Sequence, residues 1–282
     1  MRWTSGDRSN IEDMRGRSGG TAMGVGGIGV GGLLLLLALS WATGIDLTSI
    51  VGGGGGSAPP TESVGTSGAV ASTPEEERVV DMVDAVMDDA QDNWRQLLGG
   101  RYQDTKAVLF RDAINSACGF AQSATGPFYC PGDRKVYLDL GFFNDLNRLG
   151  APGDFARAYV LAHELGHHVQ TLTGTESQVR RRQAANPGDQ NELSVRMELQ
   201  ADCYAGVWGY HANRGSGRVQ LDPGDIEQGL NAAAAIGDDR LQKMQTGRVM
   251  PDRFTHGSSQ QRVEWFRRGL QSGDPATCNT FQ

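Results

Sequence analysis

An α+β fold, predominantly helical and built around a small β-sheet, is what the sequence predicts, and three observations carry it. From residue 74 onward, apolar residues recur mainly at helical spacing. Two short β-rich runs, KAVLF at 106–110 and KVYLDL at 135–140, interrupt that pattern. Ahead of both, a charge-free apolar stretch at 24–44 predicts one transmembrane helix preceding the fold.

The totals set the frame. A chain of 282 residues has room for one substantial domain plus appendages. Most of the surplus among its 40 glycines lies before residue 75, which sets the N-terminal quarter apart. The net charge is −7, and the most basic run is Arg180, Arg181 and Arg182, so nucleic acid is not an expected partner. Four cysteines, Cys118, Cys130, Cys203 and Cys278, include no C-x-x-C pair, so neither a Cys-only metal site nor a thioredoxin-type redox motif is indicated.

Residues 1–20 mix Arg2, Arg8, Arg15 and Arg17 with Asp7, Glu12 and Asp13 and offer little that could pack, which predicts a polar tail. The run GVGGIGVGGLLLLLALSWATG at 24–44 is long enough for a bilayer core, which takes about twenty apolar residues. Gly24, Gly27 and Gly31 would lie along a close-packing face of such a helix. Four arginines precede the span and no Lys or Arg occurs at 18–77, so the positive-inside rule puts the N-terminus in the cytoplasm and the rest outside. A cleaved leader is the competing reading; against it, the run starts late, is long and lacks a clean A-x-A site. The Gly/Ser/Pro-rich stretch that follows has the composition of a tether. The expected organisation is a cytoplasmic tail 1–20, an anchor 21–45, a linker 46–73 and a folded domain 74–282.

Thr73 as cap, Pro74 in the first turn and Glu75, Glu76 and Glu77 announce the first helix, whose apolar positions run from Val79 to Trp94 before Gly99 and Gly100 stop it. The two strand candidates then enclose Cys118 and Cys130. Outside the cytoplasm two cysteines at that spacing pin a loop that lacks its own core, with free buried thiols as the alternative. KVYLDL, lying shortly before the motif helix, is the candidate edge strand for pairing with an extended substrate. A short amphipathic stretch at 142–149 leads to a turn, and Asp154 is placed as cap of the motif helix. A charged loop at 176–190, a long helix at 192–211, an alanine-rich helix opened by Pro223-Gly224-Asp225 and a last helix at 258–270 complete the chain.

The motif helix contains YVLAHELGHHVQ at 159–170, with His163, Glu164 and His167 in the order H-E-x-x-H. Histidines four apart stand one above the other on a helix face, so both imidazoles can meet one metal ion. Glu164 beside them suits a carboxylate that takes a proton from a metal-activated water. A hydrolytic zinc site needs a third protein ligand. Positions 170 and 173 are Gln and Thr, so a third histidine there is ruled out. Glu198 is the candidate, with Asp202 one turn on as the acceptor for the outer nitrogen of a ligating histidine. The two acids sit in an otherwise apolar segment, where unpartnered carboxylates would be costly. Glu176, Glu192 and His211 are the fallback ligands. His168 points about 100° away from His167 and is read as packing or as support behind a ligand, not as a ligand itself. His256, ahead of the last helix, is a candidate oxyanion donor or equally a helix cap; Tyr204 and Tyr137 are weaker candidates for the same role.

Longer strings now bear on identity. Met1-Arg2-Trp3, N-I-E-D-M-R-G-R at 10–17, H-E-L-G-H-H-V-Q, E-L-Q-A-D-C-Y-A-G-V-W at 198–208 and H-G-S-S-Q-Q-R-V-E-W-F-R-R-G-L-Q-S-G-D-P at 256–275 together resemble the bacterial neutral zinc metallopeptidases of the YpfJ type. Met14 stands where that pattern would carry a second arginine. The resemblance implies a zincin-like metallopeptidase domain, with His163, His167 and Glu198 in the metal positions, Glu164 in the catalytic one and a peptide or protein as substrate. Cys203 and Cys278 resemble a second pair. The expected function is a membrane-anchored zinc peptidase working on the extracytoplasmic side, with Zn2+ as cofactor. A non-catalytic zinc-binding envelope module that retains the fold, and a hydrolase of another amide, are the competing readings; the oligomeric state is not encoded legibly.

Overall fold

The computed structural model describes residues 1–16, 70, 72–214 and 217–281. The expected anchor at 21–45 and nearly all of the expected linker lie outside the described residues. Among the described residues no helix is long and apolar enough to cross a membrane.

Eight helices are described. Helix α1 (Pro74–Leu98) starts where the composition changes: Thr73 accepts a hydrogen bond from the Glu76 amide at 3.1 Å, and three acids occupy the first turn, where the helix dipole favours them. The others are α2 (Phe142–Arg148), α3 (Asp154–Thr173), α4 (Thr175–Ala185), α5 (Gln190–Ala212), α6 (Asp225–Ala235), α7 (Asp238–Thr246) and α8 (Ser259–Ser272). The strands are β1 (Arg2–Trp3), β2 (Ile11–Asp13), β3 (Ala107–Phe110), β4 (Ala113–Ser116), β5 (Gly119–Gln122), β6 (Phe128–Cys130), β7 (Lys135–Asp139) and β8 (Val219–Gln220).

The main sheet has the order β2-β3-β7-β6, with β2, β3 and β7 parallel and β6 antiparallel at one edge. Side chains alternate between its faces. Ala107, Leu109, Val136 and Leu138 join the large core with Val83, Met87, Phe155, Leu161 and Trp208. Val108, Phe110, Cys130 and Tyr137 point the other way and form a second cluster, against which Ile114 of the β4–β5 hairpin packs. The Cys118–Cys130 disulfide ties the tip of that hairpin to the end of β6.

Four expectations change. KVYLDL is an inner strand, hydrogen-bonded on both sides, and β6 takes the edge next to α3. Residues 176–190 are largely helical as α4; Val179 is its one buried side chain, so there was no apolar stripe to read. Asp154 lies inside the first turn of α3, whose cap is Gly153, and it pairs with Arg78 at 2.9 Å instead.

The fourth correction concerns the N-terminus. Residues 1–16 are part of the domain: β2 adds to β3 in parallel, with Ile11 opposite Ala107, and β1 pairs with β8. Three of the four arginines that suggested a cytoplasmic tail, Arg2, Arg8 and Arg15, pair with acids of the folded chain. Arg8 meets Glu77 and Asp81, both at 2.6 Å, and the buried Arg15 meets Asp13, Glu76 and Glu77 at 2.6, 3.1 and 2.9 Å. Hydrogen-bonded strands lie about 4.8 Å apart, which leaves no room for a bilayer between them. A tail in the cytoplasm with the domain outside is incompatible with this pairing.

Residues 1–16 are thus joined by strand pairing to the same sheets as residues 107–110 and 219–220. Cysteines placed at exposed Ser9 and exposed Asp189 in cells are expected to react with an impermeant thiol reagent together, either both before or both after the membrane is opened. Labelling of one before and the other only after would show that the arm and domain are separated in the cell.

Candidate metal centre

Two helices cross unusually closely to make the site. A Cβ on Gly166 of α3 would lie 3.0 Å from both the Cα and the carbonyl oxygen of Ala201 on α5. Because the side chain is missing, the backbones approach at the point where His163 and His167 on one helix face Glu198 on the other. The ligand-type atoms of these three residues all lie within 4.8 Å of one another. His163 Nε2 is 3.1 Å from Glu198 Oε2, and His167 Nε2 is 3.5 Å from Glu198 Oε1. Zinc bonds of 2.0–2.1 Å in a tetrahedron put ligand atoms roughly 3.3 Å apart. The two distances bracket that edge, so the donor set and its spacing fit zinc.

The outer nitrogens are fixed by different partners. His163 Nδ1 lies 2.8 Å from Asp202 Oδ1, and His167 Nδ1 lies 2.9 Å from Gln170 Oε1. An acceptor at each Nδ1 holds the proton there and leaves both Nε2 atoms facing Glu198. Gln170 is oriented in turn: its amide donates to Met197 O at 2.7 Å and to Gln200 Oε1 at 3.1 Å, and Gln200 donates to Cys278 O at 3.0 Å. The Cys203–Cys278 disulfide, with its Cα atoms 5.6 Å apart, holds the C-terminal segment at that point.

The fully buried Asp202 has further partners that the sequence reading missed. Tyr159 donates to its Oδ1, and Arg262 of α8 donates to both carboxylate oxygens at 2.9 Å. A signal was available: Arg262 shares a helical face with the buried Phe266 and Gly269, so it stands on the inward stripe of α8.

Charge follows this geometry. Burial alone would raise the Glu198 carboxyl, but His167, His163 and the more distant His256 hold it well below the usual carboxylate range. Burial likewise works against Asp202, and Arg262 and His163 outweigh it, so its carboxyl is lowered. Desolvation pulls the His163 imidazole down while Asp202 and Glu198 push it up; the net is a rise to about 10. His167 is raised in the same way by Glu198.

Glu164 is buried beside the two histidines and makes no hydrogen bond or ion pair among the described residues. His256 stands on the turn before α8. The following residue, Gly257, lies against Val195 and Leu199, the neighbours of Glu198 on α5. Asp238 organises that turn by accepting the amides of Thr255, His256 and Gly257 at 2.7, 2.7 and 3.1 Å, and its other oxygen lies 3.3 Å from His256 Nδ1.

The remaining candidates are engaged elsewhere. His168 donates from Nε2 to Gln103 O at 2.6 Å and accepts from the Tyr129 hydroxyl at 3.0 Å, tying β6 to α3. Tyr137 donates to Asp133, and Tyr204 packs edge-on against Trp94. Glu176 and Glu192 pair with Arg180 and Arg196, and His211 bonds to Gly273 O.

The profile of the family described as "Putative neutral zinc metallopeptidase" matches residues 1–281. The chain is 48% identical over 293 aligned residues to "Uncharacterized protein YpfJ" of Escherichia coli (strain K12), covering 100% of this chain and 99% of that one. It is 46% identical over 197 residues to "Uncharacterized protein Rv2575" of Mycobacterium tuberculosis (strain ATCC 25618 / H37Rv), covering 67% of this chain and 66% of that one. No solved structure matches.

Without metal, His163 holds a proton up to a pH of about 10, and a bound metal must displace it. Zinc uptake at pH 7 is therefore expected to release at least one proton, and zinc affinity to fall at least about tenfold for each pH unit below 7. Calorimetry in buffers of different ionisation enthalpy measures the release; a heat independent of the buffer would contradict it.

Proposed function

The chain belongs to the neutral zinc metallopeptidase family, and on that premise we propose that it hydrolyses peptide bonds with zinc held by His163, His167 and Glu198. The observation that carries this reading is a buried carboxylate, Glu164, without a hydrogen-bond or ion-pair partner among the described residues, placed beside a convergent His-His-Glu set. A metal bound there would acidify a water molecule and polarise the substrate carbonyl. Glu164 takes the proton from the attacking water and returns it to the leaving amine. Its burial excludes bulk solvent from that transfer.

His256 supplies a donor to the carbonyl oxygen as charge develops on it. The protein around this half-exposed imidazole pulls it down, but Asp238 and Glu198 raise it above its ordinary value, which favours the donating cation. Its side chain is 53% exposed and so open to an incoming substrate. Asp238 faces Nδ1, so Nε2 is the nitrogen available to substrate. An extended substrate backbone would pair with the outer edge of β6, the strand that His168 and Tyr129 tether to α3.

Two disulfides favour an oxidising compartment outside the cytoplasmic membrane, with the N-terminal arm there as well.

The test is cleavage of an unfolded polypeptide by the purified chain loaded with zinc. Glu164→Gln is expected to lower the rate by roughly 10²–10⁴-fold with metal content unchanged, and Glu198→Ala to lose the metal. His256→Ala should lower kcat by roughly 10²–10³-fold while zinc stays bound. Wild-type rates in Glu164→Gln would sink the mechanism, and no cleavage of any sequence by the zinc-loaded wild type would leave only a binding module.

A further inference from the structure

Arg262 is a buried cation placed one residue behind the metal centre. Its side chain is 3% exposed, and that of Asp202 is fully buried. Nε donates to Asp202 Oδ2 at 2.9 Å, while Nη2 donates to Oδ1 at 2.9 Å and to the Tyr159 hydroxyl at 3.3 Å. Asp202 Oδ1 is also the acceptor that lies 2.8 Å from His163 Nδ1. One oxygen thus serves the histidine, and the guanidinium fork fixes where that oxygen points.

The backbone leaves Arg262 no latitude. Helix α8 lies against α5 through two glycines: a Cβ on Gly269 would be 2.0 Å from Cys203 O, and one on Gly206 would be 2.1 Å from Phe266 O. Ser258 and Gln261 cap the N-terminus of α8 reciprocally, which fixes its first turn.

We propose that Arg262 is a positioning residue of the metal centre, which holds Asp202 in one orientation so that His163 presents Nε2 to the metal. The inference rests on the zinc reading above. A lysine supplies the charge but a single point of contact, and cannot hold both oxygens as the planar fork does.

The experiment is zinc affinity by chelator competition, with the visible spectrum of the cobalt-substituted chain, for wild type, Arg262→Met and Arg262→Lys, each checked for folding by circular dichroism. Arg262→Met is expected to bind zinc about 10–100-fold more weakly with a shifted cobalt spectrum, and Arg262→Lys to recover part of that loss while remaining at least about threefold weaker than wild type. If Arg262→Met does not fold, the lysine variant decides. Folded variants with wild-type zinc affinity and an unchanged spectrum would mean that Arg262 only joins α8 to α5, and would overturn the inference alone. A wild-type chain that binds no zinc would overturn the zinc reading itself, and this inference with it.

Discussion

The close crossing of α3 and α5 at Gly166 and Ala201 is the constraint on which the rest depends. Helix axes normally pack 8–10 Å apart, with side chains filling the space between them. At this crossing there is no side chain on one partner, so short imidazole and carboxylate groups reach a common point without strain. A second crossing, of α5 with α8 at Gly206 and Gly269, fixes the far side of the ligand helix in the same way. The Cys203–Cys278 bond then closes the C-terminal segment over it. Three elements distant in sequence are held by backbone contact, and backbone contact does not yield as a flexible side chain would.

The two histidines have different support. His163 is backed by a carboxylate that is itself held by a guanidinium, whereas His167 is backed by neutral amides running from Gln170 through Gln200 to the Cys278 carbonyl. A charged acceptor strengthens the donor power of its imidazole more than an amide does. It also raises the proton affinity of His163 when no metal is present, which is why that imidazole reaches about 10 despite full burial. Proton and metal compete for the same atom, and the site stays electrically paired in either state: imidazolium facing Glu198, or a cation between them.

Much of the candidate metal site was legible because its residues are local in sequence. His163, Glu164 and His167 lie within five residues, and Glu198 and Asp202 show as acids in an apolar helix. Helix α1 was legible down to its Thr73 cap for the same reason. The rest depended on partners far along the chain. Arg262 acquires its meaning only beside Asp202, sixty residues earlier. Gln170 was read as a failed ligand and serves instead as support for one. Strand KVYLDL was taken for an edge because β6, FYC, is too short for its pattern to register beside it.

The N-terminal arm was misread because composition does not say what a charge faces. Arginines before an apolar run are the signature of cytoplasmic retention, and Glu75, Glu76 and Glu77 are the signature of a helix start. In the folded chain Arg15 reaches Glu76 and Glu77, and the two signatures answer each other. The long insert between β2 and α1 does not oppose this, since closing a loop costs only about 0.6 kcal/mol more for each doubling of its length. The arm is held by parallel strand pairing and by the sealed Arg15 cluster, and the family profile likewise begins at residue 1.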